Sequence, residues 1–96
     1  GGNIKLLPAE FTLHSAYPNP FNPSTTINFD LPKTGQVSLS IYDLRGVLVE
    51  QIFKESKVAG KYQYRWTPNE KLASGLYLLE LKTKSKTRHQ KITYIK

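Results

Sequence analysis

The stretch that decides the fold is Ser24-Thr25-Thr26-Ile27-Asn28-Phe29-Asp30-Leu31-Pro32-Lys33-Thr34-Gly35-Gln36-Val37-Ser38-Leu39-Ser40-Ile41-Tyr42-Asp43-Leu44-Arg45-Gly46. Ile27, Phe29 and Leu31 alternate with Thr26, Asn28 and Asp30. After a Pro-Lys-Thr-Gly break, Val37, Leu39 and Ile41 alternate with Ser38 and Ser40. A period of two over 4–8 residues is the signature of a half-buried strand, and a helix would need a period of 3.6. Pro32 and Gly35 punctuate the two runs as turn residues. Asp43 and Gly46 bracket a tight hairpin turn, Asp at its first position and Gly where a positive φ is needed.

Working outward, the pattern repeats. Residues 47–54 read as the return strand. Its apolar residues Val47, Val49, Ile52 and Phe53 break strict alternation, which predicts a bulge near Glu50 and Gln51. Residues 56–60 read as a loop, 61–66 as a strand with Tyr62, Tyr64 and Trp66 on one face, and 67–74 as a longer loop. From Gly75 a strand places Tyr77, Leu79 and Leu81 inward. Residues 88–95 close the chain with Ile92 and Tyr94 inward and Ile95 packing the opposite side. On the N-terminal side, residues 11–17 are a strand or extended lead-in. Pro18-Asn19-Pro20-Phe21-Asn22-Pro23 removes three backbone donors in six residues, so it forms a stiff crossover or edge segment. About seven short strands with turn signals every eight to twelve residues predict an all-β, immunoglobulin-like antiparallel β-sandwich. Residues 1–10 read as a linker or expression remnant and 11–96 as the domain, a piece of a longer protein.

The chain has 96 residues and no cysteine, 39% hydrophobic and 22% charged residues, and a net charge of +7. One globular domain without disulfides or a cysteine metal site is expected. Nothing has the length of a membrane-spanning helix. Residues 1–81 hold eight Lys/Arg and all seven Asp/Glu, whereas 82–96 hold six Lys/Arg and no acid. The excess charge is thus local to the last segment, around Lys84, Lys86 and Arg88. That fits a solvated hairpin whose lysines discourage edge pairing, or one that docks on an anionic receptor, better than nucleic-acid binding. His14 and His89 lie on different predicted strands with no Ser-His-Asp spacing, Asp43 is a turn residue and Asp30 an outward strand residue, so no catalytic residue, cofactor or metal site is expected. Tyr62, Tyr64 and Trp66 read as core, with a glycan platform as the rival reading.

Several segments together resemble the C-terminal sorting domains of the type IX secretion system of Bacteroidota and related Gram-negative bacteria. Tyr17-Pro18-Asn19-Pro20-Phe21-Asn22-Pro23-Ser24-Thr25-Thr26-Ile27 resembles the family's opening motif. Ile41-Tyr42-Asp43-Leu44-Arg45-Gly46 resembles its central hairpin, and Val49, Gly60 and Trp66 its valine, loop glycine and tryptophan. Ser74-Gly75-Leu76-Tyr77 resembles its Ser-Gly-Val-Tyr motif, with Leu76 for the valine. Lys91-Ile92-Thr93-Tyr94-Ile95-Lys96 resembles its terminal Lys-hydrophobic-Lys pattern, with Thr93 and Tyr94 for an aliphatic pair. The resemblance implies a non-catalytic signal at the C-terminus of a cargo protein. It implies passage through the periplasm, recognition by an outer-membrane translocon, and removal by a cell-surface sortase upstream of Phe11. The expected recognition residues are Lys84, Lys86 and Arg88 of the basic hairpin and Lys91, Ile92, Thr93, Tyr94, Ile95 and Lys96 of the ending. If the last strand lies at a sheet edge, it offers backbone groups for strand addition. On this reading, deletion of residues 93–96 abolishes secretion while leaving most of the sandwich folded. An accessory glycan-binding or structural domain of an extracellular enzyme is the alternative.

Overall fold

Seven strands form in the computed structural model, which describes residues 6–96. They are β1 (Thr12–Leu13), β2 (Thr25–Leu31), β3 (Gly35–Asp43), β4 (Leu48–Lys57), β5 (Gly60–Trp66), β6 (Gly75–Thr83) and β7 (Thr87–Tyr94). They pair antiparallel in two sheets, of order β1-β2-β5 and β4-β3-β6-β7. This is the expected two-layer β-sandwich. Among the described residues no helix is long and apolar enough to cross a membrane.

The alternating residues meet between the sheets as their period requires. Ile27, Phe29 and Leu31 of β2, Val37, Leu39 and Ile41 of β3, Leu79 and Leu81 of β6 and Ile92 of β7 are all buried. Each such side chain contributes about 1.5–3 kcal/mol by leaving water. Ser40 faces outward as expected, yet is buried, on the floor of a shallow trough walled by Gln51, Lys54 and Glu80.

The bulge resolves into two. The β3–β4 register jumps from Leu39↔Phe53 to Ser40↔Gln51 and from Ile41↔Glu50 to Tyr42↔Leu48, so Ile52 and Val49 are the extra residues flanking Glu50-Gln51. The hairpin at residues 43–46 closes with Gly46 N–H donating to Asp43 O at 3.0 Å and Asp43 N–H to Val47 O at 2.9 Å. Gly46 has φ +84°, a left-handed conformation that a Cβ makes costly.

Three expectations change. Regular pairing in the lead-in is confined to two residues, Thr12 and Leu13, with a further bridge at Tyr17↔Thr26. The loop at 56–60 shrinks to Val58 and Ala59, because β4 continues to Lys57 and Ala59 N–H donates to Thr34 Oγ1 at 2.9 Å. Ile95, expected to pack the opposite side, is half-exposed.

The strand directions define two poles. Phe11, the β2–β3 turn, the β4–β5 turn and the β6–β7 hairpin share one. The Pro-rich segment, the β3–β4 hairpin, the 67–74 loop and the C-terminal tail share the other. The peptide bonds preceding Pro18, Pro20 and Pro23 are cis.

Candidate functional site: the motif pole and the clasped final strand

Chain topology gathers at one pole most of the segments that resemble the family's motifs: the Pro-rich stretch, the 41–46 hairpin, Trp66, residues 74–77 and the C-terminal ending. The centre is Phe21, which is 2% exposed. Its ring stacks on Tyr94 at 5.2 Å between centroids and tilts against Trp66 at 5.7 Å. Trp66 is buried and donates from Nε1 to Glu50 Oε1 at 3.2 Å, a bond its buried N–H requires. This makes Trp66 core. Tyr62 is half-buried and Tyr64 is 38% exposed, so the three aromatics form no shared platform for a glycan.

β7 is the last strand of its sheet, but the Pro-rich segment covers its outer side. Phe21 N–H donates to Thr93 O at 2.9 Å, and Ile95 N–H donates to Phe21 O at 3.0 Å, as a parallel bridge. The Asn19 side chain extends this pairing. Its Nδ2 donates to Lys91 O at 3.1 Å, and its Oδ1 accepts from Thr93 N–H at 2.9 Å. Proline lacks the N–H to pair here, and Asn19 supplies a donor and an acceptor from its side chain instead. Further up, Gln90 bridges the lead-in: Nε2 donates to His14 O at 2.6 Å and Oε1 accepts from Ala16 N–H at 2.8 Å. Thr25 Oγ1 holds Pro18 O at 2.7 Å. The final strand is therefore clasped along residues 90–95.

The other motif residues support the same pole. Ser74 Oγ accepts from Lys96 N–H at 2.8 Å, and Lys96 Nζ donates to Glu70 O. Tyr77, buried, donates from its hydroxyl to Ala73 O at 2.6 Å. Burial, then the nearby Asp43 charge and Tyr94, push the Tyr77 hydroxyl above its ordinary pKa. Gly75 opens β6 opposite Tyr94. Gly60 stands apart, at the far pole.

Asp43 caps its own hairpin. Oδ1 accepts from Arg45 N–H at 2.9 Å and Val47 N–H at 3.0 Å, and Oδ2 accepts from Arg45 Nη2 at 2.7 Å and Nε at 3.1 Å. The Arg45 side-chain bonds, followed by the Val47 N–H, hold this carboxyl below its ordinary 3.8. A depressed folded-state pKa stabilises the fold above the unfolded value and is lost as pH falls through the folded value. Thermal melts of Asp43→Asn are therefore expected to show a lower Tm than the native chain at neutral pH, with the gap closing in strong acid. A gap that persists at low pH would assign the loss to geometry alone.

The basic hairpin lies elsewhere. Lys84 and Lys86 sit at the opposite pole, where Thr83 and Lys86 close the β6–β7 turn. Arg88 lies over the Phe11 ring at 5.3 Å. From there to Tyr94, β7 rises roughly 20 Å at about 3.3 Å per residue. A cleft of about 330 Å³ beside the hairpin is lined by Phe11, Pro32, Lys33, Lys84 and Lys86, where the chain enters the sandwich from its N-terminal side. The nine expected recognition residues thus divide between two poles. Ile92 and Tyr94 are buried, while Lys91, Ile95 and Lys96 are exposed and Thr93 is half-buried.

Sequence reading missed two histidine–carboxylate hydrogen bonds, between His14 Nε2 and Asp30 Oδ2 at 3.0 Å and between His89 Nε2 and Glu80 Oε2 at 2.9 Å. The strand register brings each pair together: His14 follows β1 alongside β2, and Glu80 faces His89 directly. They stand on different sheets, and neither imidazole has a hydroxyl among its hydrogen-bond partners, so no nucleophile–base relay forms. Among the described residues no group of three His, Cys, Asp or Glu is placed to hold a metal ion.

Residues 15–96 match the Por secretion tail family, the secretion system C-terminal sorting domain. The chain belongs to this family of type IX sorting domains. No curated protein and no solved structure matches it. The match spans both halves of the clasp, from the Pro-rich segment to the tail. A sorting domain of this system is a signal for export to the cell surface or for secretion, and it implies a secretion system and a preceding cargo. Its family is one of sorting signals, not of enzymes.

Proposed function

We propose that this sorting domain is read, folded, by the outer-membrane type IX translocon after its cargo has entered the periplasm, and is then cut from the cargo by a cell-surface sortase. It performs no catalysis of its own. The observation that carries the reading is the convergence of the family's separate motifs on one pole, where they bury Phe21, Trp66 and Tyr94 and clasp β7. Motif residues used in this way fix the shape of a surface, and the exposed residues beside them are free to make contacts. Those are Lys91, Ile95 and Lys96, held in place by backbone bonds to Asn19, Phe21 and Ser74. Lys84, Lys86 and Arg88 act at the other pole, beside the cargo junction, as a screened electrostatic attraction for an anionic receptor surface. The sortase cut falls in or before residues 1–10; Gly1 to Lys5 lie outside the described residues, and Leu6 and Leu7 are exposed.

The test is a reporter fused ahead of residues 1–96 in a type IX-competent host. The native fusion is expected at the cell surface or in the medium. Ile95→Asp combined with Lys96→Glu alters side chains while sparing the backbone bonds, so the purified domain keeps its Tm within a few degrees and the fusion stays in the cell. Normal export of that variant would remove the tail from the recognition surface. Retention of the native fusion would defeat the export reading itself.

A further inference from the structure

A sandwich of three and four strands has four lateral edges, and three of them are closed in different ways. β7 is clasped by Asn19 and Phe21. β1 is two residues long. β4 is broken by the bulges at Val49 and Ile52. It also carries Glu50 and Glu55 opposite the buried Ile41 and Val37, which puts carboxylates at inward-facing positions. Bulges, inward charges and short length are the devices that keep edges from pairing.

β5 has none of these. It pairs with β2 residue for residue from Thr25↔Trp66 to Leu31↔Gly60, with no bulge and no proline, and among the described residues β2 is its one strand partner. The direction of its free groups follows from β2. Thr26 exchanges both backbone bonds with Tyr17, and Asn28 O accepts from His14 N–H, so the even residues of β2 point away from β5 and the odd ones toward it. In an antiparallel ladder the residues opposite those odd positions complete the bonds. Hence Gly60, Tyr62, Tyr64 and Trp66 face β2, and the N–H and C=O groups of Lys61, Gln63 and Arg65 face the open edge.

The side chains around that edge are also unfinished. Tyr64 lies opposite the buried Ile27 and so points inward, yet it is 38% exposed. It stands beside the half-buried Phe53 of β4, with 6.3 Å between centroids. On the outer face, Lys61 and Arg65 are exposed.

We propose that the outer edge of β5 is a docking edge for an extended, carboxylate-bearing segment of a partner protein, added as a fourth strand to the β1-β2-β5 sheet. Its inward side chains, apolar, cover Tyr64 and Phe53. Its outward side chains, acidic, face Lys61 and Arg65, since cross-strand opposite charges favour pairing. A second copy of this chain is a poor occupant. Antiparallel self-pairing centred on Gln63 sets Lys61 against Arg65, and like charges directly opposite destabilise a ladder. The inference is independent of the export reading, because it concerns an edge at neither pole.

The test uses a capped seven-residue peptide alternating glutamate with valine, titrated into the nitrogen-15-labelled 96-residue chain. Saturable amide shifts concentrated in Gly60–Trp66 are expected, with slowed exchange at Lys61, Gln63 and Arg65. A lysine–valine peptide should bind at least about tenfold more weakly, a difference of about 1.4 kcal/mol. Gln63→Pro removes an outward N–H that β2 does not use, so the Tm should hold within a few degrees while binding is lost. Lys61→Glu with Arg65→Glu should reverse the preference between the peptides, which decides the matter if the proline variant fails to fold. The proposal is overturned by shifts centred on β4 or β7, by the absence of saturable shifts, by equal binding of both peptides, or by self-association through β5 without peptide.

Discussion

Replacing Phe21 with alanine is expected to lower the melting temperature by about 12 °C or more and to open the final strand. Phe21 is 2% exposed and contacts two other rings, Trp66 and Tyr94. Truncating a buried phenylalanine costs about 3–5 kcal/mol. In a domain of this size each kcal/mol moves the Tm by roughly 4–8 °C. Total stability for such domains is about 5–15 kcal/mol, so a large part of it would go. The ring also anchors the backbone whose N–H and C=O hold Thr93 and Ile95. Loss of the ring should therefore speed amide exchange at Ile95 more than at Leu79, which sits in the centre of the sheet. A small drop in Tm with unchanged exchange would mean that the Pro-rich segment is not part of the core.

Deleting residues 93–96 is expected to cost about as much, which alters the meaning of that experiment. Tyr94 is buried and stacks on Phe21, Thr93 and Ile95 hold the Phe21 backbone, and Lys96 N–H is tied to Ser74. Removing an aromatic of this kind costs about 3 kcal/mol or more, and each lost hydrogen bond adds about 0.5–1.5 kcal/mol. The deletion should lower the Tm by about 12 °C or more and leave the Pro-rich segment without its partner strand. A cargo fusion carrying it would then lose export through damage to the fold as much as through loss of a contact. The substitutions at Ile95 and Lys96 separate the two, because they leave Tyr94 and the backbone bonds in place. A truncated domain that melted like the native one would show that the tail is held far less tightly than its contacts indicate.

Much of the sandwich is legible in the sequence because burial in a strand has a period of two. Ile27, Phe29 and Leu31, Val37, Leu39 and Ile41, and Tyr77, Leu79 and Leu81 announce their strands and their inward faces without reference to any partner. Local turn chemistry is equally visible, since Asp43 and Gly46 act within five residues of each other. The limits are those of pairing at long range. Nothing in the local pattern says that Asn19 reaches Lys91 and Thr93, more than seventy residues away, or that this turns an edge strand into a closed one. For the same reason the sequence places Lys84 and Lys96 in one basic segment, while a strand of eight residues carries them to opposite poles. The exposure of Ile95 is another case. The alternation ends at Tyr94, and beyond it the chain is fixed by backbone and polar contacts that leave Ile95 half-exposed. Family resemblance picked out the motif residues, but their use became visible only when Phe21, Trp66 and Tyr94 were found in one cluster.

Amide hydrogen exchange of the native domain, resolved by residue along β7 and β5, bears most directly on whether the final strand is presented as a clasped surface. Ile92 and Tyr94 pair with β6, and Thr93 and Ile95 pair with Asn19 and Phe21. All four amides are expected to exchange slowly and at comparable rates, while Lys61, Gln63 and Arg65 on the open edge of β5 exchange fast. Thr93 and Ile95 exchanging as fast as the β5 edge, with Ile92 and Tyr94 still protected, would contradict the clasp and return β7 to an ordinary free edge.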